Sequence, residues 1–251
     1  MTQMEKNRRS MHCPPFKEGM ENSDQANGVP APDFGKPIKG ELITLPSFEN
    51  VATVPAYSDL LDIRRSIRSY ASKPMTQAQL AFMLWSTQGI QCYRNEVATF
   101  RTVPSGGARH PFETYITVKS VEGLSPGLYH YLPTENIGEK LVTIERLGDL
   151  PDYDKLITDM TAGQAWAAKA PVVLVHTCIP YKGEWRYKEM SHRVMLIDLG
   201  HLGQNAMLSA AALGLGSCCM AAYDQKACDK AVGVDGIDEY TVYAVSVGTP
   251  A

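Results

Sequence analysis

The sequence lacks the features that mark several large classes of protein. Its 24 Lys and Arg residues are outnumbered by 27 Asp and Glu, so it has no basic excess of the kind that nucleic-acid-binding proteins use. No apolar run approaches the ~18 residues of a membrane span, and the first residues lack the apolar core of a secretory signal. We therefore expect a cytoplasmic protein that binds neither nucleic acid nor membrane.

Clustered metal ligands are also lacking. The six cysteines form no CxxC pair, and in a chain without an export signal they are expected to be reduced thiols. Cys218 and Cys219 are adjacent, so in a strand they point to opposite faces and cannot bind one metal. His192 and His201 are nine residues apart, which places them on opposite faces of a helix. We therefore expect no metal site.

Three common catalytic signatures are absent or incomplete. Gly214 and Gly216 begin a GxGxxG-like pattern, but Cys219 stands at the third glycine position and the segment follows a helical pattern. Gly106 and Gly107 are not followed by the GK[ST] of a phosphate-binding loop. Ser105 lies outside any GxSxG elbow. These observations disfavour a dinucleotide-binding fold, a P-loop enzyme and a serine hydrolase.

The first 56 residues differ in composition from the rest. They are rich in Pro, Gly and charge and show no sustained helical or strand period. One interpretation is a partly disordered tail. The other is an extended arm on a subunit surface, anchored by its few apolar side chains, Leu42, Ile43, Leu45 and Phe48. We treat residues 1–56 as an N-terminal arm and residues 57–251 as the functional domain.

From residue 57 onward, helix and strand patterns alternate. Ser58 is a possible N-cap, and Thr76 with Gln79 forms a capping-box pattern before a helix that Gly89 ends. Strands are predicted at 113–120, 127–132, 141–147, 171–179, 217–223 and 240–248, and helices at 152–160, 164–170, 184–213 and 224–233. The antiparallel hairpins indicate an α+β domain with a mixed, mainly antiparallel sheet surrounded by helices.

The helix predicted at 184–213 is unusually rich in small residues. These lie mainly between Gly200 and Ala212, where a second helix could approach closely. If the protein forms a dimer, this stretch is expected to be its contact helix, with Ala206 in the contact.

Two polar segments are candidate ligand contacts. If IRRSIRSY is extended, Arg64, Ser66 and Arg68 share one face and Arg65 lies on the other. Such an array of guanidiniums and a hydroxyl suits a phosphate, and the alternative is a solvated basic turn. In RTVPSGGARHPFETY, Gly106 and Gly107 would let a planar ligand approach the backbone, and the alternative is an ordinary loop.

The order of these segments gives a more specific signal than any one of them. RRSIRSY, then PSGGARHP about forty residues later, then DLGHLGQNAMLSAAALGLGS and VYAVSVG resemble the nitroreductase family over about residues 57–248. The wording of GLYHYLP and PSGGARHP is similar to the SagB-like branch, which includes azoline-forming dehydrogenases of peptide maturation.

The resemblance implies an intertwined homodimer with two FMN sites at its interface. Arg64 and Ser66 would hold the phosphate and ribityl chain, Arg65 would assist, and Arg68 would approach the pyrimidine edge of the ring. A fixed cation there stabilises the negative charge that reduction adds. The partner subunit would cover the flavin with Pro104, Ser105 and Gly106, and the ring would lie along Cys219, Met220, Ala221 and Ala222. No catalytic side chain is expected, because the flavin carries the chemistry.

The chain departs from the family pattern at three places. Ala221 stands where many nitroreductases have Glu, and Arg186–Tyr187 stands where the azoline-forming branch tends to have Lys–Tyr. The last strand is followed by GTPA instead of basic phosphate contacts, which makes Arg101 a candidate replacement. The implied activity is hydride transfer from NAD(P)H through FMN to a second small molecule such as a nitroaromatic or quinone. The alternatives are a SagB-like dehydrogenase that oxidises a heterocycle in a peptide, and a non-catalytic flavin-binding module.

Overall fold

The main sheet has seven antiparallel strands. The computed structural model describes residues 2–10, 12, 20–52 and 56–251. Along the chain the strands are β1 (Glu41–Leu45), β2 (Ile90–Asn95), β3 (Ala98–Arg101), β4 (Phe112–Val118), β5 (Gly127–Tyr131), β6 (Val142–Gly148), β7 (Val172–Cys178), β8 (Gly216–Met220) and β9 (Tyr240–Gly248). The main sheet has the order β1-β6-β5-β4-β7-β9-β8, and β2 pairs with β3 in a separate hairpin. The predicted α+β class with a mainly antiparallel sheet is therefore confirmed.

Helices cover both faces of this sheet. They are α1 (Gln3–Ser10), α2 (Tyr57–Ile63), α3 (Gln77–Gln88), α4 (Tyr153–Met160), α5 (Tyr181–Tyr187), α6 (Ser191–Ala212) and α7 (Gln225–Val232). On one face, Ile116 of β4 is buried with side chains of α3 and α6. On the other face, Tyr115 is buried with side chains of α4 and α7. The alternation along β4 therefore places α6 on one side of the sheet and α4 and α7 on the other.

One of the two helix N-capping predictions is confirmed and the other is wrong. The Thr76 hydroxyl accepts from the Gln79 amide at 3.1 Å, and the Gln79 side chain accepts from the Thr76 amide at 3.0 Å, so the capping box is confirmed. Ser58 is not an N-cap. The cap position is Ala56, and the Ser58 hydroxyl instead faces Asp59 at 3.4 Å.

Two predicted helices differ from the observed ones. Residues 164–170 contain only a short 3₁₀ turn, Ala167–Lys169, because Pro171 disfavours helical backbone in the residue before it. The stretch predicted at 184–213 is broken after Tyr187, where Lys188 adopts a positive φ of 50°. This break separates α5 from α6, so that α6 can cross the sheet independently of α5.

The part of the N-terminal arm around β1 packs against the domain. β1 pairs with β6, and Leu45 and Phe48 are 1% and 4% exposed. Leu42, in contrast, is 46% exposed. Two of the four proposed anchors are thus fully buried. The division at residue 57 stays a prediction.

A network of buried charges lies under residues 34–40. His130 on β5 stands between two carboxylates: its Nδ1 is 3.0 Å from Glu145 and its Nε2 is 3.2 Å from Glu113. Glu113 also accepts from the Lys182 ammonium at 2.8 Å. Glu145 accepts from the backbone amides of residues 39 and 40, at 2.5 and 2.7 Å. These bonds tie the segment before β1 to the sheet.

Burial and hydrogen bonding shift the pKa of His130 in opposite directions. Burial alone would lower the pKa of this imidazole, but hydrogen bonds to Glu113 and Glu145 raise it above its ordinary value. Burial would raise the pKa of Glu145, but hydrogen bonds from His130 and from two backbone amides lower it to about 2. The structure therefore favours a protonated His130 between two ionised carboxylates.

Candidate functional site

The segment that carries Arg64 and Arg68 runs beside the start of β8. The Ile67 amide donates to the Ser217 carbonyl at 2.9 Å, and Ser66 and Ser217 form a parallel bridge. A Cβ on Gly216 would lie 2.7 Å from the Ile67 side chain, so this close approach requires glycine. The segment is therefore held beside β8 in an extended conformation, which is the condition under which Arg64, Ser66 and Arg68 were expected to share one face.

Two of the arginines line a cleft beside α6. Arg64 and Arg65 share this cleft with Met207, Gly214 and Ser217. One Arg64 nitrogen lies 3.9 Å from the Met207 sulfur, and Arg65 donates to the Arg64 carbonyl at 2.8 Å. Ser66 itself is exposed and contributes its backbone to the bridge with β8. Two guanidinium groups therefore line this cleft.

Arg68 occupies a different position from Arg64. Its guanidinium lies over the Trp166 ring, 5.8 Å from the ring centroid. Two residues away, the Gln164 side chain donates to the Ala222 carbonyl at 2.8 Å. Arg68 and Ala222 thus contact neighbouring residues of the same turn, Trp166 and Gln164.

The predicted ring contacts on β8 fall into three environments. Cys219 faces α6, with its sulfur 3.7 Å from the Gly203 carbonyl, whereas Met220 is 3% exposed on the opposite face. Ala221 and Ala222 are exposed beyond the strand. Burial raises the pKa of Cys219 to about 11, so the thiol is protonated at neutral pH and is not a ready nucleophile.

The loop that contains Pro104, Ser105 and Gly106 contacts α6 nearer its N-terminus than the Arg64 cleft does. The Ser105 hydroxyl donates to the Asp198 carboxylate at 2.7 Å, and the Gly106 amide donates to it at 3.0 Å. A Cβ on Gly106 would lie 2.2 Å from the Val194 side chain, so this loop also needs glycine. Asp198 and Met207 are nine residues apart on α6, which corresponds to about 14 Å along the helix axis. Within one chain, the loop and the Arg64 cleft are therefore separate.

Sequence reasoning missed Asp198. The signal was available, since a carboxylate lies between the buried residues Met195, Leu199 and Leu202 on the core-facing side of α6. Its partners in the loop are more than ninety residues away in the sequence, so no local pattern identified them.

A larger cleft surrounds the loop. Arg94, Phe100, Arg101 and His110 line it together with Ser105. Arg101 donates to the Gln88 side-chain oxygen at 3.2 Å and is 8% exposed. Within one chain, Arg101 thus lies with the loop, away from Arg64, which does not support its proposed role as the replacement phosphate ligand of that cleft.

Arg186 and Tyr187 lie against the same loop. A Cβ on Gly107 would be 2.3 Å from the Tyr187 oxygen and 3.0 Å from the Arg186 Nε, and Gly107 has a φ of +62°. The Arg186 guanidinium lies 5.3 Å from the Tyr187 ring centroid. The pair at the end of α5 is therefore next to the predicted flavin-covering loop.

Two features are absent from residues 2–10, 12, 20–52 and 56–251. Within these ranges, no group of three His, Cys, Asp or Glu side chains could hold a metal ion. Within the same ranges, no helix combines the length and apolarity that crossing a membrane requires.

Comparisons with known proteins agree with this architecture. A model of the nitroreductase family matches residues 61–249. The chain is 31% identical over 181 residues to a protein of Methanocaldococcus jannaschii named as a nitroreductase, covering 72% of this chain and 84% of that protein. It is 33% identical over 139 residues to the trifolitoxin-processing protein TfxB of Rhizobium leguminosarum, covering 51% of this chain and 34% of that protein.

Solved structures show the same fold. A microcin synthetase complex of Escherichia coli, solved with truncated pro-microcin bound, contains a chain with a TM-score of 0.62 and 20% identity, covering 96% of this chain and 84% of that one. A nitroreductase of Desulfovibrio desulfuricans, solved with FMN, has a TM-score of 0.52 and 18% identity, covering 79% of this chain and 88% of that one.

The antiparallel sheet flanked by helices is the fold that this chain shares with these solved structures. The chain belongs to the nitroreductase family, and it is an oxidoreductase. The peptide-processing relatives also confirm the predicted SagB-like branch.

Proposed function

We propose that the protein binds FMN and transfers hydride from NAD(P)H to a second small molecule, such as a nitroaromatic or a quinone. The observation that carries this proposal is the cleft of Arg64 and Arg65. No carboxylate is among the described residues that line it, and a Cβ on Gly214 would meet no atom within 4 Å, so the wall is open at that residue. Two guanidiniums without a local counter-ion fit a phosphate group.

The remaining contacts fit the rest of the cofactor. FMN, when bound, supplies the redox chemistry of the reaction. Arg68 lies over Trp166, and the neighbouring Gln164 contacts Ala222, so we infer that the Arg68 cation would lie beside the ring. The exposed backbone at Ala221 and Ala222 presents no bulky side chain to a flat group. Ala221 offers no carboxylate, so the environment of the ring differs here from that of family members with Glu.

The second half of the site would come from another copy of the chain. The Pro104–Gly106 loop and the Arg64 cleft are about 14 Å apart along α6 of one chain. The outward face of α6 carries exposed apolar side chains, with Leu196 70% and Ile197 47% exposed. A homodimer that covers this face would bring the loop of one chain towards the cleft of the other.

A second candidate function is heterocycle oxidation in a peptide-modifying complex. The likeness to a toxin-processing protein and to a chain of a microcin synthetase complex favours it. Arg186 argues against it, because it stands where the azoline-forming branch tends to have lysine, and an arginine keeps its proton in proteins whereas a lysine can lose it. A flavin-binding module without turnover is the third possibility, and NAD(P)H oxidation distinguishes it from both enzymes.

The first test identifies the cofactor and the electron donor. We expect the purified protein to be yellow and to release FMN, identified by mass spectrometry after heat denaturation. Anaerobic addition of NADH or NADPH should bleach the bound flavin, and a nitroaromatic or a quinone should restore the colour. Recovery of FAD, or of no flavin after reconstitution, would refute the proposal. Bound FMN that neither nucleotide reduces would favour the module or the heterocycle-oxidising enzyme, and a heterocyclic peptide would then be the substrate to test.

The second test separates the roles of two arginines. Arg64→Ala should weaken FMN binding by roughly 10- to 150-fold, because a hydrogen bond to a charged group contributes about 1.5–3 kcal/mol. Arg68→Ala should mainly lower the reduction potential of the bound flavin, since its cation would lie near the reduced ring. Flavin fluorescence titration and redox titration measure these effects. Arg146→Ala is the control, since Arg146 pairs with Asp149 and lines neither cleft. An unchanged potential in Arg68→Ala would contradict its assignment.

A further inference from the structure

Asp198 is a buried carboxylate in the middle of the apolar face of α6. It is 5% exposed, and its neighbours Met195, Leu199 and Leu202 belong to a hydrophobic cluster. Burial raises the pKa of Asp198, while hydrogen bonds from Ser105 and Gly106 act in the opposite direction. A carboxylate in such a place is costly unless specific donors surround it. The donors found here all belong to one loop.

The contacts fix that loop at two adjacent residues. The Ser105 hydroxyl donates to one carboxylate oxygen at 2.7 Å, and the Gly106 amide lies 3.0 and 3.1 Å from the two oxygens. The same hydroxyl accepts from the His110 amide at 2.9 Å. Asp198 therefore holds Ser105 and Gly106 directly, and it holds His110 through the serine.

The hydrogen bonding of Ser105 is thus largely used within its own chain. Its hydroxyl proton goes to Asp198 and one lone pair accepts from His110. The loop is therefore left mainly with backbone atoms for contacts outside its own chain. Gly106 contacts Val194 so closely that a Cβ would clash at 2.2 Å, which leaves the loop one position on α6.

We propose that Asp198 is a positioning residue that sets the Pro104–Gly106 loop in the conformation needed to cover the flavin of the partner subunit. This inference rests on the proposed function, because the ligand is the FMN of that site. Asp198 lies on the core side of α6, and Leu196 and Ile197 lie on its outward side. The same helix would therefore form the dimer contact and set the loop, so that assembly of the dimer and placement of the loop occur together.

The test uses the dimeric full-length protein and three variants. Asp198→Ala removes all the loop contacts, Asp198→Asn keeps the shape but removes the charge, and Ser105→Ala removes the hydroxyl. FMN affinity is measured by fluorescence titration. The exchange of the Gly106 and His110 amides with solvent is measured by NMR or mass spectrometry on the flavin-free protein. Asp229→Asn is the matched control, since Asp229 is also a buried carboxylate that accepts a backbone amide, at 2.6 Å from Thr241, on α7.

We expect Asp198→Ala to exchange the two loop amides at least roughly tenfold faster and to bind FMN at least roughly tenfold more weakly, because charged hydrogen bonds are lost. Asp198→Asn should show intermediate effects. The effects of Ser105→Ala and Asp198→Asn should not add in the double variant, since they break the same contact. Asp229→Asn should leave both quantities unchanged.

Each other outcome has a distinct meaning. A wild-type protein that binds no FMN would refute the proposed function, and the positioning role with it. If wild type binds FMN and Asp198→Ala exchanges faster without losing affinity, Asp198 serves the fold only and the positioning role is overturned. Unchanged exchange in Asp198→Asn and Ser105→Ala would overturn it as well, and these milder variants decide the matter if Asp198→Ala fails to fold.

Discussion

A Leu196→Glu protein is expected to be a folded monomer that no longer retains FMN. Leu196 is 70% exposed in the single chain, so a glutamate there disturbs nothing within the subunit. In the proposed dimer the same position faces another apolar helix surface. Burying an unpaired charge there costs about 3 kcal/mol or more, which weakens dimerisation by roughly 100-fold or more. Because each subunit would own half of each site, the flavin should be lost with the dimer.

Light scattering gives the mass of the variant, and the visible absorbance of the flavin gives its occupancy. Ile237→Glu is the matched control: Ile237 is 78% exposed and lies in the loop between α7 and β9. We expect this control to remain a dimer with FMN. A Leu196→Glu monomer that keeps stoichiometric FMN would show that one chain contains the whole site. A Leu196→Glu dimer would show that this face of α6 is not the interface.

The sequence pattern could not decide which side of α6 faces the core and which side faces a partner. The density of small residues predicted Ala206 in the dimer contact, but Ala206 is 0% exposed and lies in the core of its own chain. A charge there is expected to unfold the subunit instead of dividing the dimer. Small residues permit close packing on either side of a helix, and only the position of the sheet decides which side is which. Gly200, in contrast, faces open space, where another helix could approach.

The strands of the main sheet were largely predictable because their patterns are local. Six of its strands, β4 to β9, follow alternating or buried apolar runs with turn residues between them, and only their ends shifted. β1 was recognised only as apolar anchors, since it follows a long irregular stretch. The β2–β3 hairpin was not predicted. After Ile90, every residue of β2 is exposed, and the hairpin has two register shifts, so it has no clear alternation.

The candidate site was predictable in parts but not in its assembly. Arg64 and Gly106 stand in segments whose charge or glycine content was visible in the sequence. Their separation along α6, the Trp166 contact of Arg68 and the Asp198 contacts all depend on residues distant in the chain. Such relations follow from the packing of helices on the sheet, which a single sequence does not specify.

Replacing His130 with Leu should reduce the stability of the protein by about 3–5 kcal/mol, because Glu113 and Glu145 would lose the buried cation between them. Its melting temperature should fall by about 6–20 °C. Lys182 still pairs with Glu113, so Glu145 is the carboxylate that loses its cationic partner. Glu145 also holds the backbone of residues 39 and 40, and we expect limited proteolysis to cut this segment sooner in the variant.

The pH dependence of unfolding distinguishes a charged His130 from a neutral one. Because the folded-state pKa of His130 is raised above 6.5, its stabilisation is fully present below about pH 6.5 and is lost as pH rises through the folded-state value. Glu145 has a depressed pKa, so its contribution is present above about pH 4.5 and is lost as pH falls towards 2. Chemical unfolding of wild type between pH 5 and pH 9 should therefore show a decline in stability at the alkaline end that His130→Leu lacks.

His176→Leu is the control, since burial lowers the pKa of His176 to about 3 and this imidazole is neutral throughout that range. Its loss should be smaller, about 1–3 kcal/mol for an abandoned partner on Thr114, and independent of pH. A His130→Leu protein that follows the pH profile of wild type would mean that His130 is neutral and that the two carboxylates are balanced by Lys182 and the backbone alone.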